Sequence, residues 1–281
     1  MERIKRRRHM RFPGFKLRAL TFSYDDGVKQ DRRLIEIMQK NGIKGTFNIN
    51  SGRYAEVSGC SGNRLTLDEC KDLYLNSGME VAVHGYKHSK ILEYDSAMQV
   101  YEILKDRELL EKEFGGIIKG MAYAYGDYDS NIVEILKSCG IKYARTTVST
   151  ENLNVPIDWL RLPATCHHKN EKLFNLLEEF LKPDDEKHIA RNPRLFYLWG
   201  HSYEFDNDNN WERIEEFCEK VGNRDDVWYA TNMEIYDYVK AYDSLEYSVD
   251  GKTVHNPSGI DVYVDYYGFN VIKPGETIKF D

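Results

Sequence analysis

The chain has 281 residues, of which 41% are hydrophobic and 30% charged, and its formal net charge is −7. This composition is typical of a folded, water-soluble protein that is large enough to bury a sizeable core. The negative net charge argues against nucleic acid as a partner, and no stretch approaches the roughly 20 apolar residues of a membrane span.

The N-terminal segment is basic, with four cationic residues in a row at positions 5–8. It lacks the apolar core of a secretory signal, so we expect residues 1–16 to form a solvated basic tail. The expected location is cytoplasmic, unless an export signal has been trimmed from the sequence. The five cysteines are scattered and form no C-x-x-C pair, which argues against a disulfide framework and a cysteine zinc site.

Strand and helix patterns alternate along most of the chain. Apolar and β-branched runs predict seven strands, over residues 17–26, 44–50, 80–84, 120–125, 142–148, 195–201 and 227–231. Amphipathic segments with capping or stop residues predict intervening helices over 31–41, 66–78, 95–114, 130–139, 171–181, 211–221 and 234–241. Seven βα units in series favour a parallel sheet with helical crossovers, either open and doubly wound or closed into a barrel.

The pattern changes after about residue 245. Short strand-like runs follow, separated by the hairpin signal Asp250-Gly251 and the loop signal Pro257-Ser258-Gly259. We therefore divide the chain into a tail (1–16), a main α/β domain (17–244) and a small antiparallel β appendage (245–281). The appendage is expected to pack on the main domain, although ligand binding is an alternative.

Polar side chains follow several predicted strands. Asp25 and Asp26 end the first, His84 ends the third with His88 four residues later, and His201 ends the sixth. Each residue alone can be explained as a helix cap or an ordinary surface residue. Together they are expected at the edge of a parallel sheet where active sites lie. One Asp and two His suit a divalent metal with an open position for water, and the remaining Asp suits a general base. The pattern predicts metal-assisted hydrolysis.

The other histidines are given no catalytic role. His167 and His168 are adjacent, and neighbouring side chains rarely face one ion, so we do not expect them to bind a metal together. His9, His188 and His255 lie in the tail, in a loop and in the appendage, and we interpret them as bystanders.

Five segments resemble, in order, the NodB-type polysaccharide deacetylases of carbohydrate esterase family 4. They are TFSYDDG at 21–27, HGYKH at 84–88, AYAYG at 122–126, Asp158-Trp159 with Arg161-Leu162-Pro163, and LWGH at 198–201. The resemblance covers roughly residues 17–240. It implies an α/β fold, a distorted (β/α)7 barrel, here with the small C-terminal β appendage.

The resemblance also implies residue roles. Asp25 would be the general base and His201 the general acid. Asp26, His84 and His88 would bind the metal, and the backbone N–H of Tyr125 would complete an oxyanion hole. The substrate groove would include Asp158, Trp159, Arg161 and Trp199, together with Tyr125.

One position departs from the family pattern. The third motif usually carries an arginine that holds the catalytic Asp, and the matching residue here is Ala122. Arg145 and Arg161 are the candidates to replace it.

The predicted function is metal-dependent removal of acetyl groups from N-acetylated or O-acetylated carbohydrate. Zinc is the expected cofactor, and Co²⁺, Ni²⁺ or Mn²⁺ also suit such a site. The expected partner is a carbohydrate or small acetylated substrate, without nucleic acid or a membrane span, and the oligomeric state is left open. The alternatives are a hydrolase of another small-molecule amide C–N bond, and a catalytically impaired carbohydrate-binding protein, which Ala122 favours.

Overall fold

A computed structural model describes residues 7–59, 62–183 and 192–280. Cys60 and His188 therefore lie outside the described residues. In chain order the strands are β1 (Met10–Arg11), β2 (Arg18–Asp25), β3 (Gly45–Ile49), β4 (Glu80–Val83), β5 (Gly120–Ala122), β6 (Tyr143–Ser149), β7 (Leu162–Ala164), β8 (Cys166–His167), β9 (Arg194–Gly200), β10 (Val227–Tyr229), β11 (Glu246–Tyr247), β12 (Thr253–His255), β13 (Val262–Asp265), β14 (Phe269–Ile272) and β15 (Thr277–Lys279). The α-helices are α1 (Asp31–Lys40), α2 (Leu67–Leu75), α3 (Ser96–Phe114), α4 (Ser130–Ser138), α5 (Leu173–Leu181), α6 (Tyr203–Asn207), α7 (Trp211–Val221) and α8 (Asn232–Asp243).

The central strands form a parallel sheet in the order β7-β6-β5-β4-β3-β2-β9-β8. β7 pairs with β6, and β8 pairs with β9. Thr165 joins these two short strands, and its backbone N–H donates to the carbonyl of Tyr197 at 2.9 Å. The segment 162–167 therefore closes the sheet into a ring, which confirms the distorted (β/α)7 barrel.

The structure differs from the strand predictions at one unpredicted segment and one predicted strand. The segment 162–167 was not predicted as a strand, because it is short and Pro163 interrupts its apolar run. The predicted strand at 227–231 is observed as β10, which pairs with the N-terminal half of β2 rather than closing the ring. The ring thus keeps seven positions, but one of them is occupied by a segment other than the predicted one.

The helices cover the outside of the barrel with their apolar faces. α1 buries Leu34, Ile35 and Met38, the face that its sequence periodicity predicts. α2 begins at the predicted capping box, in which Thr66 and Glu69 exchange side-chain and backbone hydrogen bonds. No helix among the described residues is long and apolar enough to cross a membrane.

The described part of the predicted tail is not solvated. Met10 and Arg11 pair antiparallel with Val264 and Tyr263 of β13. Arg7 is only 5% exposed, and its Nη2 lies 2.8 Å from Asp243 Oδ2. The prediction of a free basic tail is wrong for residues 7–16, because carboxylates and carbonyl oxygens on the folded domain satisfy the buried guanidinium.

The residues after 245 form two small antiparallel sheets. One has the order β11-β12-β15, and the other joins β13 and β14 to β1. Their apolar side chains form a shared cluster with the end of α8, which includes Ala241, Leu245, Val254 and Val264. This segment is packed on the main domain through that cluster.

Candidate active site

The polar residues predicted at strand ends meet at the carboxyl edge of the barrel. Asp25 is the last residue of β2, while His84 and His201 directly follow β4 and β9. In a parallel ring these ends lie on the same side, so residues far apart in sequence come together. His84 Nε2 and His201 Nε2 lie 3.9 Å and 3.8 Å from Asp25 Oδ2.

Asp25 is a buried carboxylate with strong partners. Its Oδ1 accepts a hydrogen bond from Asn48 Nδ2 at 2.8 Å, and its Oδ2 pairs with Arg145. Burial by itself would raise the pKa of Asp25, but the charge of Arg145, with smaller contributions from His84 and His201, lowers the pKa to about 2. Asp25 is therefore ionised at neutral pH.

Asp26, His84 and His88 form a compact set of potential ligands. One donor atom of each lies within 4.8 Å of the others. His84 Nδ1 donates to the carbonyl of Ala122 at 2.9 Å, which leaves Nε2 facing the site without a hydrogen-bond partner among the described residues. A histidine held this way by its other nitrogen is the usual arrangement of a metal ligand. The donor set fits a divalent ion that accepts imidazole nitrogen and carboxylate oxygen.

The protonation states also suit metal binding. Burial lowers the pKa of His84, and burial together with the neighbouring His84 lowers the pKa of His88 to about 4. Both imidazoles are neutral at pH 7, as ligands must be. For Asp26, burial opposes ionisation, but His84 and Arg64 outweigh it and lower the pKa.

His201 has a carboxylate partner that the sequence analysis missed. Its Nδ1 lies 3.4 Å from Oε2 of Glu204, one helical turn further along the chain. Burial would lower the pKa of His201, but the Glu204 hydrogen bond and the carboxylate of Asp25 raise it. His201 thus carries a proton more readily than an ordinary buried histidine. The spacing of three residues at the start of a helix is a local signal that could have identified Glu204.

His167 and His168 converge on one oxygen, contrary to our expectation for adjacent residues. Their Nε2 atoms lie 3.1 Å and 3.3 Å from Glu204 Oε2, and the three donor atoms are close enough to surround an ion. However, the backbone N–H of Lys169 donates to His167 Nδ1, which places the proton of a neutral His167 on Nε2. Lys169 Nζ also lies 3.3 Å from Glu204 Oε1. These side chains therefore gather around the Glu204 carboxylate, although His168 Nε2 has no hydrogen-bond partner among the described residues.

Of the two candidate arginines, Arg145 contacts the Asp25 carboxylate. Ala122 and Arg145 are register partners on the adjacent strands β5 and β6, so an arginine one strand away reaches the same carboxylate. Arg145 is fully buried, and its guanidinium lies over the Trp199 ring at 4.4 Å. The other candidate, Arg161, pairs with Asp158 at 3.0 Å instead.

The predicted groove residues separate into two groups. Trp199 lies at the site, with its ring 4.5 Å from that of His167, and the Tyr125 ring is 4.6 Å from that of His88. Tyr125 is 61% exposed and has a left-handed φ of 58°.

Asp158, Trp159 and Arg161 have other surroundings. Asp158 caps the short helical turn that contains Trp159 and Arg161. The Trp159 ring is buried against Tyr236 at 5.2 Å. Within the described ranges, none of the three contacts Asp25, Asp26, His84 or His88.

Part of the chain matches a known protein family. Residues 14–144 match the family model described as polysaccharide deacetylase. The match covers slightly less than half of the chain, so residues 14–144 are similar to this family. A search of curated protein sequences gives no match.

Two solved structures of deacetylases share the fold over most of the chain. A putative polysaccharide deacetylase from Mycobacterium smegmatis is 17% identical and has a TM-score of 0.58, covering 84% of this chain and 94% of its own. Peptidoglycan deacetylase PdaC from Bacillus subtilis is 14% identical with a TM-score of 0.50, covering 81% of this chain and 94% of its own. Streptococcus pyogenes deacetylase PplD in complex with acetate is 23% identical with a TM-score of 0.41; the match covers 45% of this chain and about half (55%) of that protein.

Proposed function

We propose that this NodB-type protein is a metal-dependent hydrolase that removes acetyl groups from N-acetylated or O-acetylated carbohydrate. The observation that carries the proposal is the meeting of an ionised Asp25 with three potential ligands, one of which presents a buried nitrogen that has no hydrogen-bond partner among the described residues. Asp26, His84 and His88 would hold the ion, and zinc is the expected one.

Asp25 and His201 would carry out the two proton transfers of the reaction. When bound, a divalent ion supplies a Lewis acid that polarises the acetyl carbonyl. Asp25 accepts the proton of the water that attacks the acetyl carbon. The backbone N–H of Tyr125 stabilises the oxyanion of the tetrahedral intermediate. His201 Nε2 donates a proton to the departing amine or alkoxide.

The electrostatics support this division. Arg145 keeps the pKa of Asp25 low, while Glu204 helps to raise that of His201. A carboxylate and an imidazolium can therefore coexist 3.8 Å apart at neutral pH. We assign Glu204 the role of orienting the His201 ring through Nδ1, so that Nε2 faces Asp25.

Arg145 also weakens the alternative of an impaired carbohydrate-binding protein. That alternative depended on Ala122, whereas the buried guanidinium of Arg145 supplies the contact to Asp25 that an arginine at 122 would have made.

The test is acetate release by purified protein from N-acetylglucosamine oligomers, acetylated xylan and small acetamides. The protein is first treated with a chelator and then supplied with Zn²⁺, Co²⁺ or Mn²⁺. We expect release that requires the added ion and disappears in His84→Ala. A matched control is His255→Ala, because His255 lies in the appendage and bonds to Thr277. Bound metal without release from any substrate would contradict deacetylation and favour another amide bond or a binding role.

A further inference from the structure

Arg64 contacts a candidate metal ligand, although neither the sequence pattern nor the proposed reaction gives it a role. Its Nη2 lies 3.0 Å from Asp26 Oδ1, and its Nη1 donates to the backbone carbonyl of Asp26. The backbone around Arg64 is fixed by a bridge to Val28. The guanidinium is thus held against Asp26 by the fold rather than by a mobile loop contact.

Arg64 also connects the two segments that supply the ligands. Its Nη1 lies 3.3 Å from Asn50 Oδ1. The Asn50 Nδ2 group donates to the carbonyls of His84 and Gly85 at 2.8 Å and 2.7 Å. One chain of hydrogen bonds therefore runs from the Asp26 carboxylate to the backbone that carries His84.

The backbone of Asp26 has an unfavourable conformation that the bonds from Arg64 help to hold. Its φ is 88°, in the left-handed region that a residue with a β-carbon adopts only under constraint. The bond from Arg64 to the Asp26 carbonyl holds this conformation, and the bond to Oδ1 fixes the carboxylate. The same Oδ1 lies 3.5 Å from His88 Nε2, so it is the oxygen that faces the other ligands.

The positive charge of Arg64, in contrast, opposes the binding of a metal ion. A guanidinium stays protonated at any relevant pH, and this one is only 17% exposed. A carboxylate oxygen has room for one arginine N–H and one metal bond. An ion bound to Oδ1 would lie about 5 Å from the guanidinium, given a metal–oxygen bond of about 2.1 Å. At that separation the repulsion of a divalent and a monovalent cation weakens binding about tenfold, even with the screening of water.

We propose that Arg64 is a positioning residue that fixes Asp26 for metal binding and, through its charge, keeps the metal affinity low. This inference rests on the proposed metal site. In this proposal Arg64 orders the Asp26 ligand and at the same time keeps the bound ion exchangeable.

The experiment measures the Zn²⁺ dissociation constant by competition with a chromogenic chelator, so it does not depend on activity. Arg64→Gln removes the charge and retains a donor, and we expect it to bind Zn²⁺ about tenfold more tightly. Arg64→Lys keeps the charge and should stay within about twofold of wild type. Arg64→Met removes charge and donor together, so it should tighten binding less than Arg64→Gln. The matched control is Arg33→Gln, which breaks an exposed pair with Glu215 and a contact with the Trp211 ring, neither of which involves a candidate metal ligand.

The outcomes separate the two claims. Unchanged or weaker binding by Arg64→Gln overturns the charge effect, and binding by Arg64→Met as tight as that of Arg64→Gln overturns the positioning effect. A wild-type protein that binds no Zn²⁺ at all overturns the metal centre itself. Circular dichroism of each variant confirms that the affinity refers to a folded protein.

Discussion

Replacing Arg145 with alanine should destabilise the fold mainly because it leaves the buried charge of Asp25 without its guanidinium partner. The side chains of Arg145 and Asp25 are 0% and 3% exposed. Removing one partner of such a buried ion pair costs about 3–5 kcal/mol, since the remaining charge keeps its desolvation penalty. We expect the free energy of unfolding at pH 7 to fall by about that amount.

Part of the loss in the free energy of unfolding comes from a second contact of Arg145. Arg145 also stacks over Trp199 at 4.4 Å, and a buried cation–π contact contributes about 1–2 kcal/mol. The two contributions can be separated, because neutralising Asp25 removes the unpaired charge but does not restore the contact with Trp199.

The assay is urea unfolding of four proteins: wild type, Arg145→Ala, Asp25→Asn and the double variant. The double variant should be more stable than Arg145→Ala by about 2 kcal/mol or more, because it no longer buries the unneutralised carboxylate. The difference between this effect of Asp25→Asn and its effect in wild type is the coupling between the two residues. Arg161→Ala is the matched control. Its pair with Asp158 is 38% and 43% exposed and should contribute less than about 1 kcal/mol.

Two results would refute this reasoning. One is an Arg145→Ala protein that unfolds within about 1 kcal/mol of wild type, as expected only of an exposed pair. The other is a double variant no more stable than Arg145→Ala, because then the unpaired carboxylate is not the cause of the loss.

Three further predictions concern the proposed site and its surroundings. Asp25→Asn should keep bound Zn²⁺ and lose acetate release, whereas His84→Ala should lose both; full metal content in His84→Ala by elemental analysis would contradict the ligand set. Glu204→Gln should move the alkaline limb of the pH–rate profile to lower pH, because Glu204 helps to raise the pKa of His201; an unchanged profile would rule that out. Burial raises the pKa of Asp31 to about 7, against about 4 in an unfolded chain. The stability that its proton contributes is complete below about pH 4 and is lost as the pH rises through 7. In urea unfolding, the free energy of unfolding of wild type should therefore fall by up to about 4 kcal/mol relative to Asp31→Asn over that range. Parallel pH curves for the two proteins would argue against this pKa.

The strand ends could be predicted from sequence because they depend on local patterns. Apolar runs that stop at Asp25, His84 and His201 identify the carboxyl edge of the barrel without further information. The capping box at Thr66 likewise fixes a helix start through residues three apart. Such signals need only a short window of sequence.

The ring closure could not be predicted in this way. The segment 162–167 is extended because β6 and β9 offer hydrogen-bond partners on its two sides. Its own sequence contains a proline and no long apolar run. The extended conformation of this segment depends on its neighbouring strands, so its local sequence does not predict it.

The role of Arg145 depends on register in the same way. Only the pairing of Ala122 with Arg145 across two strands shows that the side chain reaches Asp25. Glu204 differs, since it lies three residues after His201 and could have been found from helical spacing alone. Arg64 required both the bridge to Val28 and the turn at Asp26, which the sequence does not specify.

The pairing of β1 with β13 has a consequence for synthesis and folding. Met10 and Val264 are register partners across 254 positions of sequence (264 minus 10). Because a chain grows from its N-terminus, the barrel strands can assemble on the ribosome while residues 10 and 11 still lack their hydrogen-bond partners. Contacts of such long range form late and slowly in folding. The edge of β1, with the apolar Met10 and Phe12 beside it, therefore stays unpaired until β13 has been synthesised.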